Sequence, residues 1–83
     1  MAYKSQFLSR SAEKALRAIV KCARKDNAFR IEAYEHGRHN NLASTPCMAD
    51  TFIRAIDGAH GAVDIYVRWL DGERKALCID LDA

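Results

Sequence analysis

The clearest pattern of apolar and polar positions lies in the last third of the chain. Val63, Ile65, Val67 and Trp69 alternate with Asp64, Tyr66, Arg68 and Leu70. Side chains two apart share one face of a strand, so the odd positions form an apolar face. Beyond Asp71-Gly72, Leu77, Ile79 and Leu81 alternate with Ala76, Cys78, Asp80 and Asp82, and the apolar residues are odd again. The two runs predict a β-hairpin. Asp-Gly ordinarily signals a two-residue turn. That turn would set Leu70 opposite Glu73 and divide the apolar residues between two faces, which a half-buried sheet does not tolerate. A loop of odd length, Leu70 to Gly72 or Leu70 to Arg74, keeps them together. The shorter form is a type I turn followed by a left-handed Gly72. The expected core face is therefore Val63, Ile65, Val67, Trp69, Leu77, Ile79 and Leu81.

Upstream the period changes. After a short, loosely held lead-in, Leu8, Ala12, Ala15, Leu16, Ile19, Val20 and Ala23 recur at helical spacing. They predict a helix from Ser5 or Ser9 to Lys25, capped by Ser9 or Ser11 and ended by Asp26-Asn27. Ala28 to Glu35 reads as a strand with Phe29, Ile31 and Ala33 on one face. His36-Gly37-Arg38 is a turn. His39 to Ala43 fits a fourth strand or a loop equally well. Ser44-Thr45-Pro46 predicts the start of a second helix, with the apolar stripe Ala49, Phe52, Ile53 and Ile56 and Gly58 as its C-cap. The order is α-β-(β)-α-β-β. It implies an α+β two-layer sandwich: an antiparallel sheet of three to four strands with both helices on one face. The opposite sheet face then carries Tyr66, Arg68, Cys78 and Arg30 or Tyr34.

Size and composition narrow this picture. The 83 residues make a single domain, 1–83. A chain of this size buries a little over ~60% of its unfolded surface, enough for one modest core. No stretch is long and apolar enough to cross a bilayer, and Met1 to Ser11 lacks the apolar core of a signal peptide. Cys22, Cys47 and Cys78 have no paired spacing, which suits a reducing, cytoplasmic compartment. The net charge of +2 implies no partner by itself, but its placement is uneven. Residues 1–40 hold nine basic and four acidic side chains, a balance of +5; residues 41–83 hold four and seven, a balance of −3.

Candidate chemistry follows from that asymmetry. The polar side of the first helix holds Arg10, Lys14, Arg17, Lys21, Arg24 and Lys25, with Glu13 its only acid. Such a face docks an acidic protein patch or phosphate backbones, or is simply solvated. The outer sheet face offers Tyr66 and Arg68, a pair typical of protein interfaces and able to stack on unpaired bases. Trp69 is expected in the core or half-core near the hairpin end. His36, His39, Cys47 and Asp50 are zinc-ligand types at a spacing that matches no familiar zinc pattern. Asp64 and Asp80 are candidate neighbours for a divalent cation, or charges that blunt a sheet edge. A small enzyme would need His36 or His39 to converge with Asp50 or Glu35. No glycine-rich phosphate loop or catalytic constellation is evident, so no cofactor, metal or enzymatic activity is expected.

The expected function is that of a small, non-catalytic regulatory or inhibitor protein that binds a macromolecular partner. A protein with an acidic patch is the first expectation. A nucleic acid held by the first helix is the alternative, and homodimerisation through a sheet edge a further route. Compact, motif-poor chains of this style are common on phages and other mobile elements, where they block host complexes such as CRISPR machinery.

Overall fold

The computed structural model describes residues 3–26, 28–60 and 62–77. Its elements are α1 (Arg10–Asp26), β1 (Phe29–Glu35), β2 (Asn41–Ser44), α2 (Ala49–Gly58), β3 (Val63–Trp69) and β4 (Arg74–Ala76). The strands form one antiparallel sheet in the order β2-β1-β3-β4, and the fold is a two-layer α+β arrangement.

The hairpin obeys its parity. Arg68 faces Arg74 and Val67 faces Lys75. Trp69 N–H donates to the Glu73 carbonyl at 2.9 Å, and Gly72 N–H to the Trp69 carbonyl at 2.9 Å. The loop is thus the three residues 70–72, and Gly72 takes φ +92°, where a Cβ would be strained. Across β1 and β3, Ile31 faces Val67 and Ala33 faces Ile65, so odd residues meet odd residues. Ile31, Ala33 and Ile65 pack with Leu16, Val20 and Ala23 of α1 and with Phe52, Ile53 and Ile56 of α2 in one buried cluster. Each large side chain in it contributes roughly 1.5–3 kcal/mol through burial. The helix α1 starts at the cap expected from the sequence. Ser9 Oγ accepts the Ala12 N–H at 3.1 Å, and the Ser9 carbonyl accepts the Glu13 N–H at 3.0 Å.

Several expectations need correction. The stretch 39–43, which fitted a strand or a loop, overlaps the strand β2, Asn41–Ser44. The second helix does not start at Ser44-Thr45-Pro46. Thr45 is still tied to β1: its N–H donates to the Ile31 carbonyl at 3.0 Å, and its Oγ1 accepts the Ile31 N–H at 3.1 Å. Extended pairing excludes helix there, so α2 begins at Ala49 with Met48 as N-cap. Gly58 is the last helical residue, and the left-handed position that closes α2 belongs to His60 at φ 55°. Ala15 lies in the helical stripe by spacing but is exposed, because it sits at the stripe's margin. Trp69 shares the odd parity but stands at the end of β3, opposite Phe29, and is 39% exposed. Asn27, Cys78, Ile79, Asp80 and Leu81 lie outside the described residues.

Candidate functional site

The opening segment, expected as a loose lead-in, is fastened to both helices by carboxylates. Asp57 of α2 is 2% exposed. It accepts the Phe7 N–H at 2.8 Å, the Gln6 N–H at 2.9 Å and a short bond from the Tyr3 hydroxyl. Burial alone would raise the Asp57 carboxyl, but the donors from Tyr3, Gln6, Phe7 and Leu8 outweigh it and hold the group below its ordinary range. Asp50 accepts the Tyr3 N–H at 3.0 Å, and Glu13 accepts the Ser5 N–H at 2.9 Å. The ring of Phe7 stacks on His60 at 4.2 Å, and Arg54 lies 4.7 Å from the Tyr3 ring centre. A left-handed His60 thus has a purpose in the packing: it brings the imidazole under the segment.

Arg17 is the keystone of this clasp rather than part of an open basic face. It donates to Asp50 at 2.5 Å, to the Tyr3 carbonyl at 2.6 Å and to Glu13 at 3.3 Å. Its hydrogen bond to Asp50 raises Arg17 and lowers Asp50, and Glu13 is lowered by hydrogen bonds from Ser5 and then from Arg17. Of the six cations expected on one helix face, Arg17 is therefore neutralised within the fold.

The fastened segment and α1 enclose a groove of about 660 Å³. Lys4, Arg10, Lys14 and Lys21 rim it, and Leu8 and Ala18 give it an apolar lining. Among the described residues, no carboxylate lies within ion-pair distance of those four cations. Arg24 and Lys25 are exposed at the C-terminal end of α1, outside the groove. The groove thus unites Arg10, Lys14 and Lys21 and adds Lys4, a residue the sequence did not flag because nothing local shows that the first residues fold back.

The open sheet face brings Tyr66 and Arg68 into a second arrangement. Arg68 Nε donates to both oxygens of the largely buried Glu32 at 3.2 Å. Tyr34 and Tyr66 meet edge to face at 5.7 Å, and Arg74 lies 4.1 Å above the Tyr66 ring. Arg74 and Glu32 were legible in principle: a three-residue hairpin loop sets Arg74 opposite Arg68, and Glu32 faces Tyr66. The edge strand β4 is three residues long and carries Arg74 and Lys75, features that blunt an edge against pairing with a further strand.

The zinc-type residues do not converge. His36 Nδ1 lies 2.9 Å from Asp64, Asp50 is held by Arg17 and Tyr3, and Cys47 is half-buried, with burial pushing its thiol up. Among the described residues no three His, Cys, Asp or Glu side chains group to hold a metal ion. Asp64 is lowered by His36 and then by the Gly37 N–H. Among the described residues no helix is long and apolar enough to cross a membrane. Comparison with protein-family models, with curated proteins and with solved structures finds no match to this chain.

Proposed function

We propose that this chain is a non-catalytic binding module that takes an acidic, partly apolar segment of a protein partner into the groove along α1. The observation that carries the reading is the rim of four cations without carboxylate partners among the described residues, around an apolar lining. Arg10 and Lys14 lie one helical turn apart and Lys21 two turns further on, so carboxylates at the matching turns of one face of a partner helix meet them. The apolar lining favours a protein segment over a bare phosphate backbone, because a backbone of phosphates has nothing to bury there. Occupying a partner's acidic surface is how such a module would regulate or inhibit it. The free thiols Cys22 and Cys47 suit a reducing, cytoplasmic setting.

The test is fluorescence anisotropy of the full chain. The probes are a Glu- and Leu-containing helical peptide and single- and double-stranded oligonucleotides, each titrated across salt. Saturable binding of the peptide, abolished by Lys14→Glu with Lys21→Glu and retained in Arg68→Gln, is the expected result. Tighter binding of an oligonucleotide, with affinity falling steeply as salt rises, would transfer the groove to nucleic acid. Absence of peptide binding at low salt would sink the reading.

A further inference from the structure

The open sheet face ends in a separate cleft of about 220 Å³ beside the β1–β2 turn. Tyr34, Tyr66 and Arg74 form its sheet side, and Arg38 and His39 enter from the turn. The volume lies below the roughly 300–1,000 Å³ of pockets for drug-sized ligands, so a small head group fits the space better than a whole cofactor.

Its cations are prepared for an anion. Arg74 lies 4.1 Å from the Tyr66 ring centre and 5.8 Å from that of Tyr34. Stacking orients a guanidinium while leaving its in-plane N–H groups free to donate in pairs. Among the described residues no carboxylate lies within ion-pair distance of Arg74. Among the described residues Arg38 has one distant carboxylate partner, Glu35 at 3.7 Å, on a largely exposed side chain. The acid in the cleft wall is already engaged: one Asp64 oxygen pairs with His36 at 2.9 Å and the other accepts the Gly37 N–H at 3.2 Å. That pair of contacts ties the turn to β3 and so carries Arg38 and His39 to the cleft.

We propose that this cleft binds a phosphoryl dianion, either free phosphate or the phosphate of a monoester, between Arg74 and Arg38. A phosphoryl dianion has a third acceptor oxygen and a second negative charge that a carboxylate lacks, so two guanidinium groups on different elements match it in both charge and donors. The site is on the sheet face and independent of the α1 groove.

The experiment is a two-dimensional amide NMR titration of the full chain near neutral pH. Inorganic phosphate, phenyl phosphate and acetate are added at matched ionic strength. Saturable shifts at Gly37, His39 and Tyr66 with either phosphoryl probe, and none with acetate, are expected. The tighter of the two probes identifies the source. Arg74→Gln and Arg38→Gln should each weaken binding by about tenfold or more, the range for a lost hydrogen bond to a charged group. Lys14→Glu with Lys21→Glu should leave it unchanged, so failure of the groove and failure of the cleft are read separately. Shifts that do not saturate, acetate binding as well as phosphate, or full affinity in a folded Arg74→Gln chain would each overturn the proposal.

Discussion

The clasp at the N-terminal segment and the two outward-facing basic surfaces use the same residue types to opposite ends. In the clasp, Glu13, Asp50 and Asp57 meet donors supplied by the chain itself, and Arg17 is engaged by two carboxylates and a carbonyl. In the groove, Lys4, Arg10, Lys14 and Lys21 meet no carboxylate among the described residues. Arg17 lies on the same helix as three of those four, between Lys14 and Lys21. It borders the same groove, and what separates it from them is its partners, Glu13 one turn back on α1 and Asp50 of α2, not its chemistry. Net charge on a helix face is therefore a poor guide to a binding surface unless the internally satisfied charges are first removed.

The sheet face shows an intermediate condition. Arg68 pairs with Glu32, while Arg74 is oriented by Tyr66 yet meets no carboxylate among the described residues. Orientation without neutralisation lowers the ordering cost of binding, which flexible lysines in the groove must meet in full. The cleft should accordingly be the more selective surface, and the groove the more tolerant one.

Acid should break this contrast most strongly, because it acts on the three clasp carboxylates together. Glu13, Asp50 and Asp57 are all held below their ordinary values in the folded chain. Their contribution is therefore present above the unfolded values of about 4 and is lost as pH falls through the lower native ones. Thermal unfolding followed from pH 7 to pH 2.5 should show stability level down to about pH 4–5 and falling below it. The Tyr3 and Phe7 resonances should lose their folded positions over the same interval.

Next in size is Asp57→Ala. It removes the acceptor for Gln6, Phe7 and Tyr3 and leaves part-buried donors without a partner, at about 1–3 kcal/mol for each that water cannot reach. A total near 3 kcal/mol is expected in urea unfolding, and a loss below ~1 kcal/mol would show that the segment is not integral to the fold. The smallest effect sharpens the comparison within α1. Arg17→Ala should cost about 1–2 kcal/mol, and Lys14→Ala should stay within ~0.5 kcal/mol. Equal losses in the two variants would erase the distinction between clasp and groove.

Much of the fold was legible because strand and helix periods are local. The odd parity of Val63 to Leu77 was enough to reject a two-residue turn and predict a loop of odd length, 70–72 or 70–74, since a slip of one residue would expose a whole face; the structure takes the shorter. The cap was legible as Ser9 or Ser11 from their position at the first apolar turn, and the structure selects Ser9. The start of α2 was misread because Ser-Thr-Pro has the composition of a helix start, while Thr45 is captured by Ile31 of β1. Trp69 was misjudged because parity assigns a face but not how far the helices extend over it.

The sequence by itself determined the order of elements apart from β2, the face of most apolar residues and the parity of the hairpin. These depend on the 3.6- and 2-residue periods of the backbone, which neighbouring residues are enough to express. Only the tertiary structure decided which charges are free. Arg17 finds Asp50 across 33 positions, and Tyr3 finds Asp57 across 54. Long polar side chains have no period of their own, and their partners are chosen by which elements the core brings together.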